Sequence, residues 1–289
     1  MIVSASYRTD IPAFYGAWFE RRLDAGSCEV RNPYGRPYTV RLDRESVSGF
    51  VFWTRNAAPF LPVLDRLAAA GYPFVVHYTI TAYPRLLETS VIDPARAARQ
   101  VHAIARAFGP RAAVWRYDPI IVTGATPLSS HVERFSRLAE ALAGAVDEAV
   151  LSFATFYRKT RRNLAVAGGA PGLAWDDPAV ERKQALIAEL ATAAREFGMR
   201  ATVCAQPDLA AGGAREARCI DARRLGDVAG RPIPAREKGN RPGCACHEAR
   251  DIGAYDSCPH GCIYCYAVAS PGAARARHAR HDPAAPSLL

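Results

Sequence analysis

Short apolar runs alternate along the first two thirds of the chain with longer stretches in which alanine, leucine and arginine recur at helical spacing. The runs at 2–6, 49–54, 74–80, 113–117, 149–153 and 200–205 are rich in Val, Ile, Phe and Tyr. They read as continuously apolar, the pattern of strands buried on both faces of a parallel sheet. Between them the periodicity predicts helices over 59–70, 93–108, 131–142 and 177–197, closing on Gly71, Gly109, Gly144 and Gly198. Six β-then-α units predict an α/β fold, a TIM-like parallel β/α barrel in partial or permuted form.

After residue 206 the periodicity fades into Gly, Ala, Arg and Pro. The expected organisation is a barrel over 1–206, a cysteine-rich metal or iron-sulfur module over 207–269 packed on the barrel mouth, and a disordered tail over 270–289 that is poor in large apolar residues. With 289 residues, 49% of them hydrophobic, the chain is long enough for a substantial core.

In a parallel barrel the loops after the strands build the active site. The expected strand ends are polar, running into SYRTD, TRN, HYT, RYDP, TFYRK and CAQ. Arg8, Arg55, Arg116 and Arg158 are candidates for gripping carboxylates or phosphates. Asp10 and Asp118 are candidates for orienting those arginines or moving protons. Asn56 and His77, at the ends of the second and third strands, are candidate cofactor-binding groups.

Cysteine usage sharpens this picture. Five of the eight cysteines fall after residue 240, and Cys258, Cys262 and Cys265 stand as C-x3-C-x2-C in CPHGCIYCYA. Three thiolates hold three irons of a cubane cluster and leave the fourth open. Cys204, Cys219, Cys244 and Cys246 supply four more ligands, enough for a second cluster or a tetrahedral zinc. His247 and His260 lie beside these thiols and could replace one, although such loop histidines more commonly face solvent. Cys28 reads as a small buried hydrophobe. The opening MIVSAS lacks the basic-then-apolar pattern of a secretory signal, and no apolar stretch approaches the roughly 18 residues of a membrane span. A cytoplasmic protein without membrane association is expected, and reducing cytosol favours metal ligation over disulfides.

The formal charge is +9, much of it arginine in an alanine-rich background. It is weak evidence for a nucleic-acid partner. The run Arg158 to Arg162 beside Phe156 and Tyr157 suits a nucleic-acid backbone, and equally a solvated helix start. Phosphate-loop, dinucleotide-turn, H-E-x-x-H and G-x-S-x-G motifs are missing, which removes support from nucleotide-triphosphate and hydrolytic chemistry.

The triplet with the following tyrosine, GCIYCYA, resembles the cluster motif of radical S-adenosylmethionine enzymes, in particular spore photoproduct lyase-like proteins. The strings SYRTDIPAF, VRNPY, VFWTRN, WRYDPII, SFATFYRK and DIGAYDSCPHGCIYCYA are similar to the bacterial family called domain of unknown function 1848. The first resemblance implies a [4Fe-4S] cluster on Cys258, Cys262 and Cys265, S-adenosyl-L-methionine chelated at the open iron, and reductive cleavage to a 5′-deoxyadenosyl radical. It also implies an electron donor such as a flavodoxin or ferredoxin, acting on an unknown small-molecule or nucleic-acid substrate. Tyr264 and Tyr266 would pack on adenine, or else serve the core. In those enzymes the triplet follows the first barrel strand, whereas here it follows the last, and a permuted barrel would reconcile the two. Two other readings stay open: a non-catalytic or DNA-handling iron-sulfur module, and a zinc-stabilised barrel enzyme acting on a small anion.

Overall fold

The structure, a computed structural model, describes residues 1–31, 35–167 and 173–289. Asn32, Pro33 and Tyr34 of the VRNPY string lie outside the described residues. In chain order the elements are β1 (Ile2–Ala5), α1 (Ile11–Phe14), α2 (Gly16–Asp24), β2 (Ser27–Arg31), β3 (Pro37–Arg41), β4 (Gly49–Thr54), α3 (Leu61–Ala69), β5 (Phe74–Thr79), α4 (Pro94–Phe108), β6 (Ala113–Ile120), β7 (Val122–Thr123) and α5 (Ser129–Leu142). There follow β8 (Glu148–Phe153), α6 (Arg158–Ala167), β9 (Trp175–Asp176), α7 (Val180–Glu196), β10 (Arg200–Val203), β11 (Arg215–Glu216), α8 (Ala222–Ala229), β12 (Ala249–Asp251) and α9 (Pro271–Ala279).

Eight strands form one sheet in the order β11-β10-β8-β6-β5-β4-β1-β12. Every neighbouring pair in it is parallel. The α/β class is as expected, but the barrel is not closed. The two edge strands, β11 and β12, are only two and three residues long, and each pairs with a single neighbour.

The strands are not uniformly apolar. One set of alternate residues, including Phe50, Phe52, Phe74, Val76, Tyr78, Trp115, Tyr117 and Leu151, joins the main core with residues of α2, α3, α4, α5 and α7. The other set begins apolar, with Ile2, Val51, Val75, Val114 and Val150 packed against Leu225 of α8. It then turns polar toward the strand ends, where Ser4, Trp53, His77, Arg116 and Ser152 follow two residues later. This period-2 alternation gives the sheet an oily face and a face that becomes chemical at its C-terminal end.

Local signals place the helices. α4 starts where Asp93 accepts from the amides of Ala95 and Arg96, with Pro94 in the first turn, and stops at Gly109, whose φ of 87° suits glycine. The segment 207–269 is continuous with the sheet rather than seated on it, since it supplies both edge strands and α8. Arg224 of α8 is 2% exposed and holds the base of the sheet by bonds to Asp147 (2.6 Å) and Glu148 (2.9 Å).

The tail is ordered, against expectation. Ser270 caps α9 through the amide of Ala273, Trp18 donates to the carbonyl of Ala285 at 3.1 Å, and the Glu29 amide donates to that of Pro286 at 2.8 Å. Leu288 ends in the core at 3% exposure. The tail has few large side chains, but it docks by backbone hydrogen bonds to β2 and α2, which composition does not reveal. No helix among the described residues is long and apolar enough to cross a membrane.

Candidate functional site

A cavity of about 810 Å³ opens at the C-terminal ends of the strands. Seven cysteines line it: Cys258, Cys262 and Cys265 from the loop after β12, and Cys204, Cys219, Cys244 and Cys246 from the segment after β10. All eight cysteines are free thiols. Cys28 lies apart, 2% exposed in the main core, as a small hydrophobe would.

Of the rim residues expected from sequence, Arg8, Asp10, Arg55, Arg116, Asp118 and Arg158 line this cavity, as do Tyr264 and Tyr266. His77 and Asn56 do not. His77 lies deeper on β5, its ring stacked on Trp53 at 5.3 Å and its Nε2 2.6 Å from the carbonyl of Cys219. Asn56 turns away, its Oδ1 accepting from Gln100 at 3.0 Å. His77 shares its face of β5 with cavity residue Thr79 but lies two residues deeper, and Asn56 stands beyond the end of β4, so neither of these expected cofactor-binding residues lines the cavity.

Three ion pairs tie the rim together, two of them made by a carboxylate that sequence reasoning missed. Arg8 Nε donates to Asp251 at 2.8 Å, and Asp251 also accepts from Ser4 (2.6 Å), Ser6 (2.8 Å) and the amide of Gly253 (2.9 Å). Arg55 donates to Glu88 at 2.8 Å and to the Tyr264 hydroxyl at 2.8 Å, while Thr81 donates to Glu88 at 2.6 Å. Arg116 pairs with Asp118, as expected of an orienting carboxylate, and Asp118 is bonded in turn by Ser152. Asp251 sits in the DIGAYDS string just before the triplet, so its position was visible although its role was not. Glu88 lies in an irregular loop with no pattern to mark it.

Asp10 plays a different part from orienting an arginine side chain. Its Oδ1 caps α1 through the amide of Ala13 at 2.9 Å, and its Oδ2 accepts from the Arg55 amide at 2.8 Å. His260 Nε2 lies 2.7 Å from the same Oδ2. His260 and His247 are 3% and 6% exposed, correcting their expected solvent-facing position; His247 Nδ1 accepts from the Ala222 amide at 3.2 Å. Buried imidazoles need partners, and these two find them in a carboxylate and a backbone amide.

The electrostatics follow from burial. Cys258 is held well above the usual thiol range by desolvation, then by Asp10 and by the neighbouring Cys265 and Cys262. Burial pushes Cys262 up to about 12, although Arg55 opposes it, and it also raises Cys265. Cys244 is drawn down to about 6, chiefly by the hydrogen bond from Cys246. Burial alone would lower Arg116, but Asp118, Cys219 and Cys204 more than offset it and raise it well above its ordinary value. Thiols kept protonated by burial become good ligands when a cation replaces the proton.

Cys258, Cys262 and Cys265 are unlinked, close enough to influence one another, and open to the cavity. Three thiols are the donors that three corners of a cubane iron-sulfur cluster would take. Among the described residues no three His, Cys, Asp or Glu side chains already close about a common point as ligands of a single ion.

Aromatic and cationic groups mix at the mouth. Tyr157 and Tyr266 lie 6.2 Å apart, and Tyr255 lies under both Arg8 (5.4 Å) and Lys159 (5.2 Å). The basic run does begin a helix, α6. Lys159 faces Asp256 at 3.6 Å and Arg161 covers the ring of Trp175 at 5.2 Å, so part of its charge is used within the chain.

Fold and site together define an open parallel α/β protein with a thiol-lined cavity at its strand ends. The chain belongs to the family described as domain of unknown function DUF1848, whose profile matches residues 2–267. No curated protein matches it, and no solved structure does.

Proposed function

We propose that this chain is an iron-sulfur enzyme of the radical S-adenosylmethionine type, with Cys258, Cys262 and Cys265 as the three protein ligands of a [4Fe-4S] cluster. The observation that carries the reading is that these three free thiols share one cavity of about 810 Å³ with the charged ends of β1, β4 and β6. Such a cluster, when bound, supplies the one-electron reduction that cleaves a sulfonium and yields a 5′-deoxyadenosyl radical.

The chain's own residues do the rest. Arg8, fixed by Asp251, and Lys159 present cationic groups at the mouth to a carboxylate or phosphate. Tyr255, Tyr266 and Tyr157, each more than 40% exposed, offer faces on which a planar base stacks. Arg55, Glu88 and Tyr264 form a buried polar wall behind the triplet that fixes the loop and keeps water from it. Asp10 anchors that loop a second time through His260.

The test is anaerobic reconstitution with iron and sulfide, reduction, and addition of S-adenosylmethionine. The reading requires 5′-deoxyadenosine in excess of a Cys262→Ala control. A fully loaded, reduced protein that yields none would refute it.

A further inference from the structure

The second set of cysteines gathers apart from the triplet. Cys204 follows β10, Cys219 precedes α8, and Cys244 and Cys246 lie before β12, so three separate stretches of chain bring four sulfurs to one wall of the cavity. Cys204 Sγ and Cys219 Sγ are 3.3 Å apart without being bonded. Cys246 bears electrostatically on Cys219, and Cys244 on Cys246. Three of the four residues are less than 9% exposed. The surroundings are built for negative sulfur: Arg116 Nη1 donates to Cys219 Sγ at 2.9 Å, the Ile220 amide points at Cys246 Sγ at 3.4 Å, and Arg241 lines the same wall. Amide and guanidinium donors are what a buried metal thiolate needs around it to offset its charge.

We infer that Cys204, Cys219, Cys244 and Cys246 form a closed four-thiolate metal site, separate from the triplet, that takes a single tetrahedral ion of the zinc class. With metal-sulfur bonds of about 2.3 Å the edge of such a tetrahedron is about 3.8 Å, close to the contact between Cys204 and Cys219. A cubane cluster interposes its own atoms and holds its thiolates farther apart. Cys204 and Cys219 already stand in contact, and an ion would have to draw Cys246 and Cys244 in to them, since no three of these sulfurs yet close about a common point. On loading, the thiols release their protons and the ion takes their place, with no change of oxidation state. Structurally the ion would staple the strand β10 edge to the chain leading into β12, across the gap where the barrel fails to close. The inference does not depend on radical chemistry, and its failure would leave the proposed function standing.

The experiment is metal analysis of the full chain purified without oxygen in zinc-containing medium, for the wild type, Cys262→Ala and Cys219→Ser/Cys246→Ser. One zinc per chain is expected in the first two and at least a tenfold loss in the third. Wild-type protein provides a readout independent of folding of the variant. With zinc bound, Cys204, Cys219, Cys244 and Cys246 should resist alkylation, and after chelation all four should react, as located by mass spectrometry. Zinc unaffected by the double substitution, alkylation of the four thiols in zinc-loaded protein, or recovery of Cys204 and Cys219 as a disulfide would overturn the site. Four irons with sulfide on these residues would overturn the single-ion assignment.

Discussion

Asp251→Ala should be among the most damaging single changes near the cavity, because this one carboxylate gathers the end of β1, the start of the cysteine loop and a nearly buried arginine. It accepts hydrogen bonds from Ser4, Ser6, the Tyr7 amide at 3.2 Å, Arg8 and the Gly253 amide. The side chains of Arg8 and Asp251 are 12% and 7% exposed. Removing one member of a buried ion pair strands the other, a loss of about 3–5 kcal/mol. The stranded hydroxyls and amides overlap with that figure rather than adding to it. For a chain of this size each kcal/mol lowers the midpoint by about 2–4 °C, so a fall of roughly 10 °C is expected in thermal unfolding followed by circular dichroism. Arg8→Met should cost less, since Asp251 keeps its other donors, and the double variant should lose clearly less than the two single losses summed. A loss below about 1 kcal/mol for Asp251→Ala, the value of an exposed pair, would refute this account of how the loop is anchored.

Arg224→Met should destabilise by about 3–5 kcal/mol, because Asp147 and Glu148 lose a guanidinium that also donates to the carbonyls of Arg111 and Ala113; Arg224→Lys should recover little, since a point charge cannot reproduce the fork. Urea unfolding measures both. His131, fully buried with its Nδ1 2.8 Å from the Tyr117 hydroxyl, is held down to about 4, chiefly by desolvation and then by Arg134. The unfolded chain therefore binds a proton that the folded chain refuses between its ordinary value near 6.5 and about 4. Stability should fall as pH drops through that window, by up to about 3 kcal/mol from this residue. His131→Gln should flatten that part of the profile, and an unchanged slope would contradict the assignment.

Much of the architecture was legible because parallel strands and amphipathic helices announce themselves by period. All six expected sheet strands are present, and α3, α4, α5 and α7 fall where the Ala/Leu/Arg spacing put them. The open edge was not legible, since strands as short as β11 and β12 carry no period at all and are defined by their neighbours. Reading the strands as apolar on both faces concealed the alternation that sets Arg116 and Asp118 toward the cavity and Trp115 and Tyr117 into the core. Depth along the strand rather than the pleat explains His77, which shares a face of β5 with cavity residue Thr79 yet lies one layer below. Cysteine spacing brought to notice the seven sulfurs that line the cavity, because a shared chemistry is visible in residue type alone. Glu88 and Asp251, the acidic partners of Arg55 and Arg8, come from segments distant from those arginines in sequence, and only the fold brings each pair together.

The central claim is that three thiolates leave a metal position open to the cavity. It is tested most directly by electron paramagnetic resonance of the anaerobically reconstituted, reduced Cys219→Ser/Cys246→Ser protein, in which only the triplet can hold a cluster, with and without S-adenosylmethionine. The account predicts a [4Fe-4S] signal whose g-values shift when the sulfonium compound is added and which is lost with Cys258→Ala. A signal indifferent to the addition, or one that survives loss of Cys258, would contradict it.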